Sequence, residues 1–290
     1  NYKDALILND GGKLVRDFPR IPGIDFSGKV LESNVSEFKK DDEVVLTGCR
    51  VGEIYHGGYS QLAKVKKEFL IKKPKNISNK ETMIMGTAGF TALLCALAVN
   101  ARESLLLGEK VNDVLVTGAT GGVGSVAVMA LSKMGYNVTA VTGKPENVEI
   151  LKKLGAKNIV NRSEFEGETK LLGKAIWDGV VDTVGGNILA HAITQTKHSG
   201  IIAACGNAGG VKLNTNVMPF ILRGVKLWGI DSIQISMKRR EFVWSQVERL
   251  IDFNVLDEVV QTISMDELIN IFPQILKGQV SGRIVVDVNK

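Results

Sequence analysis

Gly118, Gly121, Gly122 and Gly124 fall in one seven-residue run, Gly118-Ala119-Thr120-Gly121-Gly122-Val123-Gly124. Their type and spacing could seat a pyrophosphate. Glycines let the backbone approach phosphate oxygens, and a helix that starts at such a turn offers free N–H groups and the positive end of its dipole. A second set of residues bears on which dinucleotide would sit there. NAD sites usually carry an Asp or Glu about 20 residues past the glycine turn, on the ribose 2′-hydroxyl. Here that position reads Val141-Thr142-Gly143-Lys144, without a carboxylate. Thr142 can donate a hydrogen bond and Lys144 supplies a cation, a combination suited to a 2′-phosphate. Arg162 could close the same corner with a bidentate contact. The expected cofactor is therefore NADPH. The alternative is that Lys144 and Arg162 are solvated loop charges.

Such residues need a strand before the turn and a helix after it. Val114 to Leu131, VLVTGATGGVGSVAVMAL, provides both: an apolar run rich in β-branched residues, then small apolar residues up to Gly135. A second strand, Asn137 to Val141, follows. An amphipathic helix from Asn147 to Leu154 stops at Gly155, where a helix-ending glycine belongs. Strand-like runs recur near 159, 182 and 203. The pattern predicts a doubly wound parallel sheet. Before it, residues 1 to about 85 show short strand-like runs (Phe26–Leu31, Glu43–Leu46, Tyr59–Val65) among many glycines, the mark of an irregular β-rich domain. After Val225 come a strand (225–230), a long helix from about Lys238 to Phe253, a helix near Met265 to Leu276 and a last strand, Arg283 to Val288. The expected division is 1–86, 87–223 and a return segment 224–290.

Composition narrows the partners. The chain has 290 residues, 44% of them hydrophobic, and a formal charge of +5. Its basic residues are scattered, with small clusters at Lys64–Lys67 and Lys238–Arg240, which suits a solvated surface better than nucleic-acid binding. No signal peptide is visible, and no apolar run is expected to reach the length of a membrane span. Three widely spaced cysteines, Cys49, Cys95 and Cys205, without a CxxC pair, fit a reducing cytoplasm.

Motifs spanning nearly the whole chain resemble, in order, the medium-chain dehydrogenase/reductase superfamily: PGIDFSG (22–28), DDEVVLTG (41–48), GGYSQLAKV (57–65), GTAGFTALLC (86–95), TGATGGVG (117–124), DTVGG (182–186) and GRIVVDV (282–288). NYKDA (1–5), LTGCRVGE (46–53) and VMPFILRGVKLWGIDS (217–232) are similar to its acryloyl-CoA reductase and quinone oxidoreductase branch. The resemblance implies a Rossmann domain inserted in a GroES-like β-rich catalytic domain, with the active site in the cleft between them. It also leads us to expect a leading segment of roughly 40 residues ahead of Asn1. By the same resemblance Thr120, Gly121, Gly122 and Val123 hold the pyrophosphate, beside the Thr142, Gly143, Lys144 and Arg162 corner. Thr87, Thr183, Cys205, Gly206 and Asn207 stand near the nicotinamide, Phe220, Ile221 and Leu222 line its face, and Arg283 reaches the cofactor phosphate or carboxamide. Phe220 and Leu222 could instead be plain core, and Cys205 a small buried residue rather than a nucleophile.

Zinc-binding members place a Cys at the position of Asn1, a His at that of Ile24 and a third ligand near Met83. None of these side chains is a sound zinc donor, so no metal is expected. Without a Lewis acid, alcohol oxidation loses its usual route to an alkoxide, whereas reducing an activated double bond needs only a held hydride donor, a stabilised enolate and one proton. The catalytic candidates are Tyr2, which could bond the cofactor or steer protonation, and Asp4, which could orient Tyr2 or Lys3 or be a turn residue. The expected reaction is NADPH-dependent reduction of an α,β-unsaturated acyl-CoA. The rivals are quinone or enone reduction and a cofactor-binding protein without turnover. The apolar run 225–231 suggests a sheet edge and a homodimer.

Overall fold

The computed structural model describes all residues except 10–12 and 106–109. The chain divides into two compact units: residues 1–90, 232–248 and 259–290 form the first, and 91–231 with 249–258 the second. Along the chain the elements are α1 (Tyr2–Leu8), β1 (Asp25–Lys29), β2 (Glu43–Thr47), β3 (Ile71–Lys72), α2 (Asn79–Leu105), β4 (Asp113–Val116), α3 (Gly122–Lys133), β5 (Asn137–Thr142), α4 (Val148–Lys153), β6 (Asn158–Asn161), β7 (Trp177–Asp182), α5 (Gly186–Gln195), β8 (Thr196–Ala204), α6 (Met218–Arg223), β9 (Lys226–Gly229), α7 (Met237–Ser245), α8 (Val247–Leu250), α9 (Phe253–Leu256), β10 (Val260–Ser264), α10 (Leu268–Leu276) and β11 (Arg283–Asp287).

The second unit carries a six-stranded parallel sheet in the order β6-β5-β4-β7-β8-β9. Relative to its own first strand that is the Rossmann order, which reverses direction between β4 and β7 and leaves ligands a place at the carboxyl ends there. The central strands are apolar on both faces; Val114, Leu115, Val116, Val180 and Val181 are all wholly buried, as a parallel sheet covered on both sides requires. The first unit holds a three-stranded antiparallel sheet, β1-β2-β3, and a parallel pair, β10-β11. Ala5 of α1 packs with Ile263, Leu268, Ile271 and Phe272 around that pair.

Several elements depart from the sequence expectation. Residues 59–65 form no strand, because the Ser60 hydroxyl bonds the Leu62 N–H and carbonyl and turns the chain locally. The single helix expected over 238–253 is three pieces. The Ser245 hydroxyl donates to the Phe242 carbonyl at 2.7 Å, competing with the helical ladder, and the Asp252 side chain accepts from Asn254 N–H to start a new helix. Strand β10 was not foreseen. Nor was α2, which is apolar nearly all round and so lacks a one-sided stripe. The expectation of no membrane-length run is corrected here. Asn79–Glu103 is long and apolar enough by length and composition, but 83% of its most apolar stretch is buried within the protein, the position of a core helix.

Candidate active site

In the second unit, residues from four strand ends converge. The chain leaves β4, turns at Gly118 (φ 58°) and enters α3, with Gly121 as a helix cap that supplies no side-chain bond. The first N–H groups of α3 are thereby left for a ligand. The turn has no room for side chains. A Cβ on Gly124 would lie 2.2 Å from the Gly118 carbonyl oxygen, and one on Gly118 would lie 2.3 Å from the Thr183 hydroxyl. Thr183 itself is pinned, donating through its hydroxyl to Thr117 O at 2.9 Å and through its N–H to the Thr117 hydroxyl at 3.1 Å. Behind it the fully buried Asp182 accepts from the Thr117 hydroxyl at 2.6 Å and Gly185 N–H at 2.8 Å. Burial pushes the Asp182 pKa up against these bonds.

At the end of β8, Cys205 N–H donates to Asp182 O at 2.9 Å. Gly206 packs so close to Thr183 that a Cβ would lie 2.1 Å from its carbonyl oxygen, and Asn207 lies against Gly185. Thr183, Cys205, Gly206 and Asn207 are thus brought together. The neighbouring Cys205 thiol, then burial, push the wholly buried Cys95 well above the usual thiol range, so Cys95 is no nucleophile.

The ribose corner is equally local. Thr142 ends β5 with its hydroxyl 3.5 Å from that of Thr120 and accepts Lys144 N–H at 3.0 Å. The Arg162 guanidinium lies over Gly143, where a Cβ would sit 3.3 Å from its central carbon. Arg162 also pairs with Glu166 at 3.6 Å, both side chains well exposed. Burial holds the Lys144 ammonium below its ordinary pKa, opposed by Glu146. Thr142, Gly143, Lys144 and Arg162 form one cationic corner.

Phe220, Ile221 and Leu222 do not join this site, which corrects the expectation. Arg223, at the end of α6, donates to Thr194 O and Thr196 O, where β8 begins, so α6 lies toward the amino ends of the strands. Phe220 packs on the core beside α5, while Ile221 and Leu222 are 67% and 57% exposed.

A second cluster lies in the first unit. Gly86 has φ 48°, a conformation open to glycine, and it breaks α2 in two. The break exposes carbonyls on one side and N–H groups on the other, and two charged residues take them. Arg283 donates from Nε to Ile84 O at 2.8 Å and from Nη2 to Met83 O at 3.4 Å. Asp25 accepts Thr87 N–H on Oδ2 at 2.7 Å and the Thr87 hydroxyl on Oδ1. The cation sits at a helix C-terminus and the carboxylate at a helix N-terminus, the favourable arrangement for both dipoles. Both press on Gly86, where a Cβ would meet Asp25 Oδ2 at 2.6 Å and Arg283 Nη2 at 2.8 Å.

Asn1 ties the cluster together. Its Nδ2 donates to Asp4 Oδ2 and to Asp25 Oδ2, each at 2.9 Å, and its Oδ1 accepts from Arg283 Nη1 at 3.3 Å. Buried Asp4 also accepts Ile24 N–H at 2.9 Å. Tyr59 packs on Phe272 and faces the same charges; burial, then Asp4 and Asp25, push its phenol well above the usual range. Burial raises Asp25 and lowers Arg283.

Arg283 donates to Ile84, Met83 and Asn1, inside its own unit. One expectation changes here. Asp4 does not orient Lys3, whose ammonium pairs with the buried Glu53 at 2.8 Å. Tyr2, 42% exposed, starts α1. Asn1, Asp25 and Tyr59 were not foreseen as site residues, although Asp25 and Tyr59 stand in the PGIDFSG and GGYSQLAKV motifs.

Residues 1–75 match the alcohol dehydrogenase GroES-like domain, and residues 122–250 match the family described as zinc-binding dehydrogenase. The acrylyl-CoA reductase AcuI of Ruegeria pomeroyi is 47% identical over 290 residues, all of this chain and 87% of that protein. The chain belongs to the medium-chain dehydrogenase/reductase superfamily. Among solved structures, the yhdH oxidoreductase of Salmonella enterica in complex with NADP matches with a TM-score of 0.94 and 42% identity, over 99% of this chain and 87% of that one. Bacillus subtilis yhfP with NAD bound matches with a TM-score of 0.91 and 40% identity, again over 99% and 87%. The expected fold, a Rossmann-like unit with a GroES-like one, holds, and as a member of this superfamily the chain is an oxidoreductase.

The zinc in one family description does not fit these residues. Asn1 presents an N–H to two carboxylates, Ile24 is apolar, and Met83 carries a thioether, outside the Cys, His and carboxylate donors of zinc sites, with its carbonyl bonded to Arg283. Among the described residues no group of three or more His, Cys, Asp or Glu is arranged to hold an ion. A dinucleotide does fit: the Gly118–Gly124 cradle lacks space for side chains, α3 starts uncapped, and the cationic corner lies at the end of β5.

Proposed function

We propose that this protein reduces the C=C bond of an α,β-unsaturated acyl thioester, with acryloyl-CoA to propionyl-CoA as the type reaction and NADPH as the reductant. The carrying observation is 47% identity to an acrylyl-CoA reductase along the entire chain. The Thr142–Lys144–Arg162 corner supports NADPH over NADH, since the end of β5 offers donors and cations where a 2′-hydroxyl would want a carboxylate.

The second unit is the cofactor-binding one. Thr120, Gly121, Gly122 and Val123 hold the pyrophosphate, Lys144 and Arg162 hold the ribose phosphate, and Thr183 with Cys205 to Asn207 line the nicotinamide end. In the first unit Thr87 stands at the nicotinamide, Tyr2 bonds the cofactor ribose or carboxamide, and Asp4 fixes α1 to Ile24. When bound, NADPH supplies the hydride. The substrate's own thioester carbonyl takes the charge, and the protein must steady that enolate and admit one proton. We further infer a cytoplasmic homodimer. Its three cysteines are free, and Leu227 and Trp228 are exposed on β9, the outer strand of the sheet. A monomeric mass by light scattering at micromolar concentration would refute the dimer.

The test follows NADPH absorbance with acryloyl-CoA and with a simple quinone, each compared with NADH. Turnover with acryloyl-CoA and NADPH is expected. Turnover with quinone alone would reassign the substrate, and tight NADPH binding without turnover would make this a cofactor-binding protein.

A further inference from the structure

We propose that Asp25 stores the proton that completes the reaction and passes it to the substrate through the Thr87 hydroxyl. The proposal rests on the thioester-reductase reading above. Asp25 Oδ2 already accepts two N–H groups, from Thr87 and Asn1, so a proton on this carboxyl sits on Oδ1, which faces the Thr87 hydroxyl. Asp4 differs in that Ile24 N–H occupies one oxygen and Asn1 the other. The groups facing Asp25 are Asp4 from α1, Arg283 from β11, Tyr59 from the loop after β2, and Thr87 from α2. Burial favours the neutral form of a carboxyl that faces a second carboxyl. Burial first, then the charge of Asp4, raise the Asp25 pKa against the Thr87 bonds and Arg283.

With the carboxyl protonated, the Asp25–Thr87 hydrogen bond runs from Oδ1–H to Thr87 Oγ1, and the Thr87 hydroxyl proton turns outward. Hydride adds to the β-carbon, and the π electrons move to the thioester enolate. The α-carbon then takes the Thr87 proton, breaking its O–H bond, while Thr87 takes the Asp25 proton. Asp25 is left as a carboxylate and regains a proton from water. Thr87 is the proton donor and Asp25 a positioning residue that acts through it.

Two readouts test this. In infrared difference spectra of wild type against Asp25→Asn recorded across a pH series, a protonated carboxyl band is expected to persist above the ordinary Asp range and to be lost in the variant. Its absence overturns the proposal whatever the substrate. In turnover, wild-type rate should fall as pH rises through the Asp25 pKa. Asp25→Asn and Thr87→Val should lower kcat by about 100-fold and abolish that limb, while Thr87→Ser restores most of both. NADPH affinity, measured directly, should stay within about twofold in Asp25→Asn, showing an intact fold. An unchanged pH profile in Asp25→Asn overturns the proposal, as does a Thr87→Ser variant no better than Thr87→Val. No acryloyl-CoA turnover in a wild type that shows the carboxyl band would instead overturn the substrate reading.

Discussion

The two clusters place cations in opposite settings. In the first unit Arg283 is buried, flanked by Asp4 and Asp25, and bonded to two helix-end carbonyls and an amide. In the second, Arg162 lies on the surface over Gly143 with one loose carboxylate partner, and Lys144 is only partly buried. A buried cation bonded to carbonyls and carboxylates of the fold holds its surroundings together, whatever else it touches. A cation presented near the surface at a strand end is placed to meet a ligand. In sequence both are simply arginines near motifs, and only the fold separates their settings.

The contrast predicts effects of different kind and size. The largest should come from Arg283→Met, which leaves two carboxyls facing each other without their cation and exposes the α2 break. A cost of about 3–5 kcal/mol is expected, seen as a fall of on the order of 10 °C in calorimetric Tm. Adding Asp25→Asn should recover part of that loss, and no recovery would mean that the charges are not the cause. Next, Gly124→Ala drives a Cβ against the Gly118 carbonyl, an overpacking cost of about 1–3 kcal/mol. That should appear as NADPH affinity weakened by about tenfold or more in calorimetric titration.

Smaller still, Lys144→Ala and Arg162→Ala should each cost about 1 kcal/mol, or roughly fivefold, in NADPH affinity at moderate salt. NADH affinity should be unmoved. Equal losses for both cofactors would show that the corner does not read the 2′-phosphate. The smallest effect is expected from Ile221→Ser and Leu222→Ser, which lie at the wrong end of the strands. KM for NADPH should stay within about twofold, and a large rise would restore the contact that the position of α6 removes.

The Rossmann half was largely legible because its signals are local. An apolar strand, a glycine turn and a small-residue helix lie within twenty residues, and Lys144 follows directly from the end of β5. The cluster at Gly86 was legible only in fragments. Asp4, Thr87 and Arg283 were singled out by motif, but what joins them is a helix break whose two ends are capped by residues 62 and about 200 positions away in sequence. Nothing in a linear pattern links Asp25 to Thr87, and α2 shows no one-sided apolar stripe to betray its break. Phe220 to Leu222 failed for a related reason: a motif gives proximity in sequence, while the end of the sheet at which a helix lies is set by the loop before it.

Two roles are proposed for named residues: Lys144 and Arg162 bind the ribose phosphate of NADPH, and Asp25 with Thr87 supplies the proton. Single-turnover reduction of acryloyl-CoA, measured against NADPH concentration in Lys144→Ala and in Asp25→Asn, tests them most directly. The account predicts that Lys144→Ala raises the NADPH concentration needed for half the limiting rate, and that Asp25→Asn lowers the limiting rate at an unchanged half-saturation. Both variants moving the same parameter would contradict it.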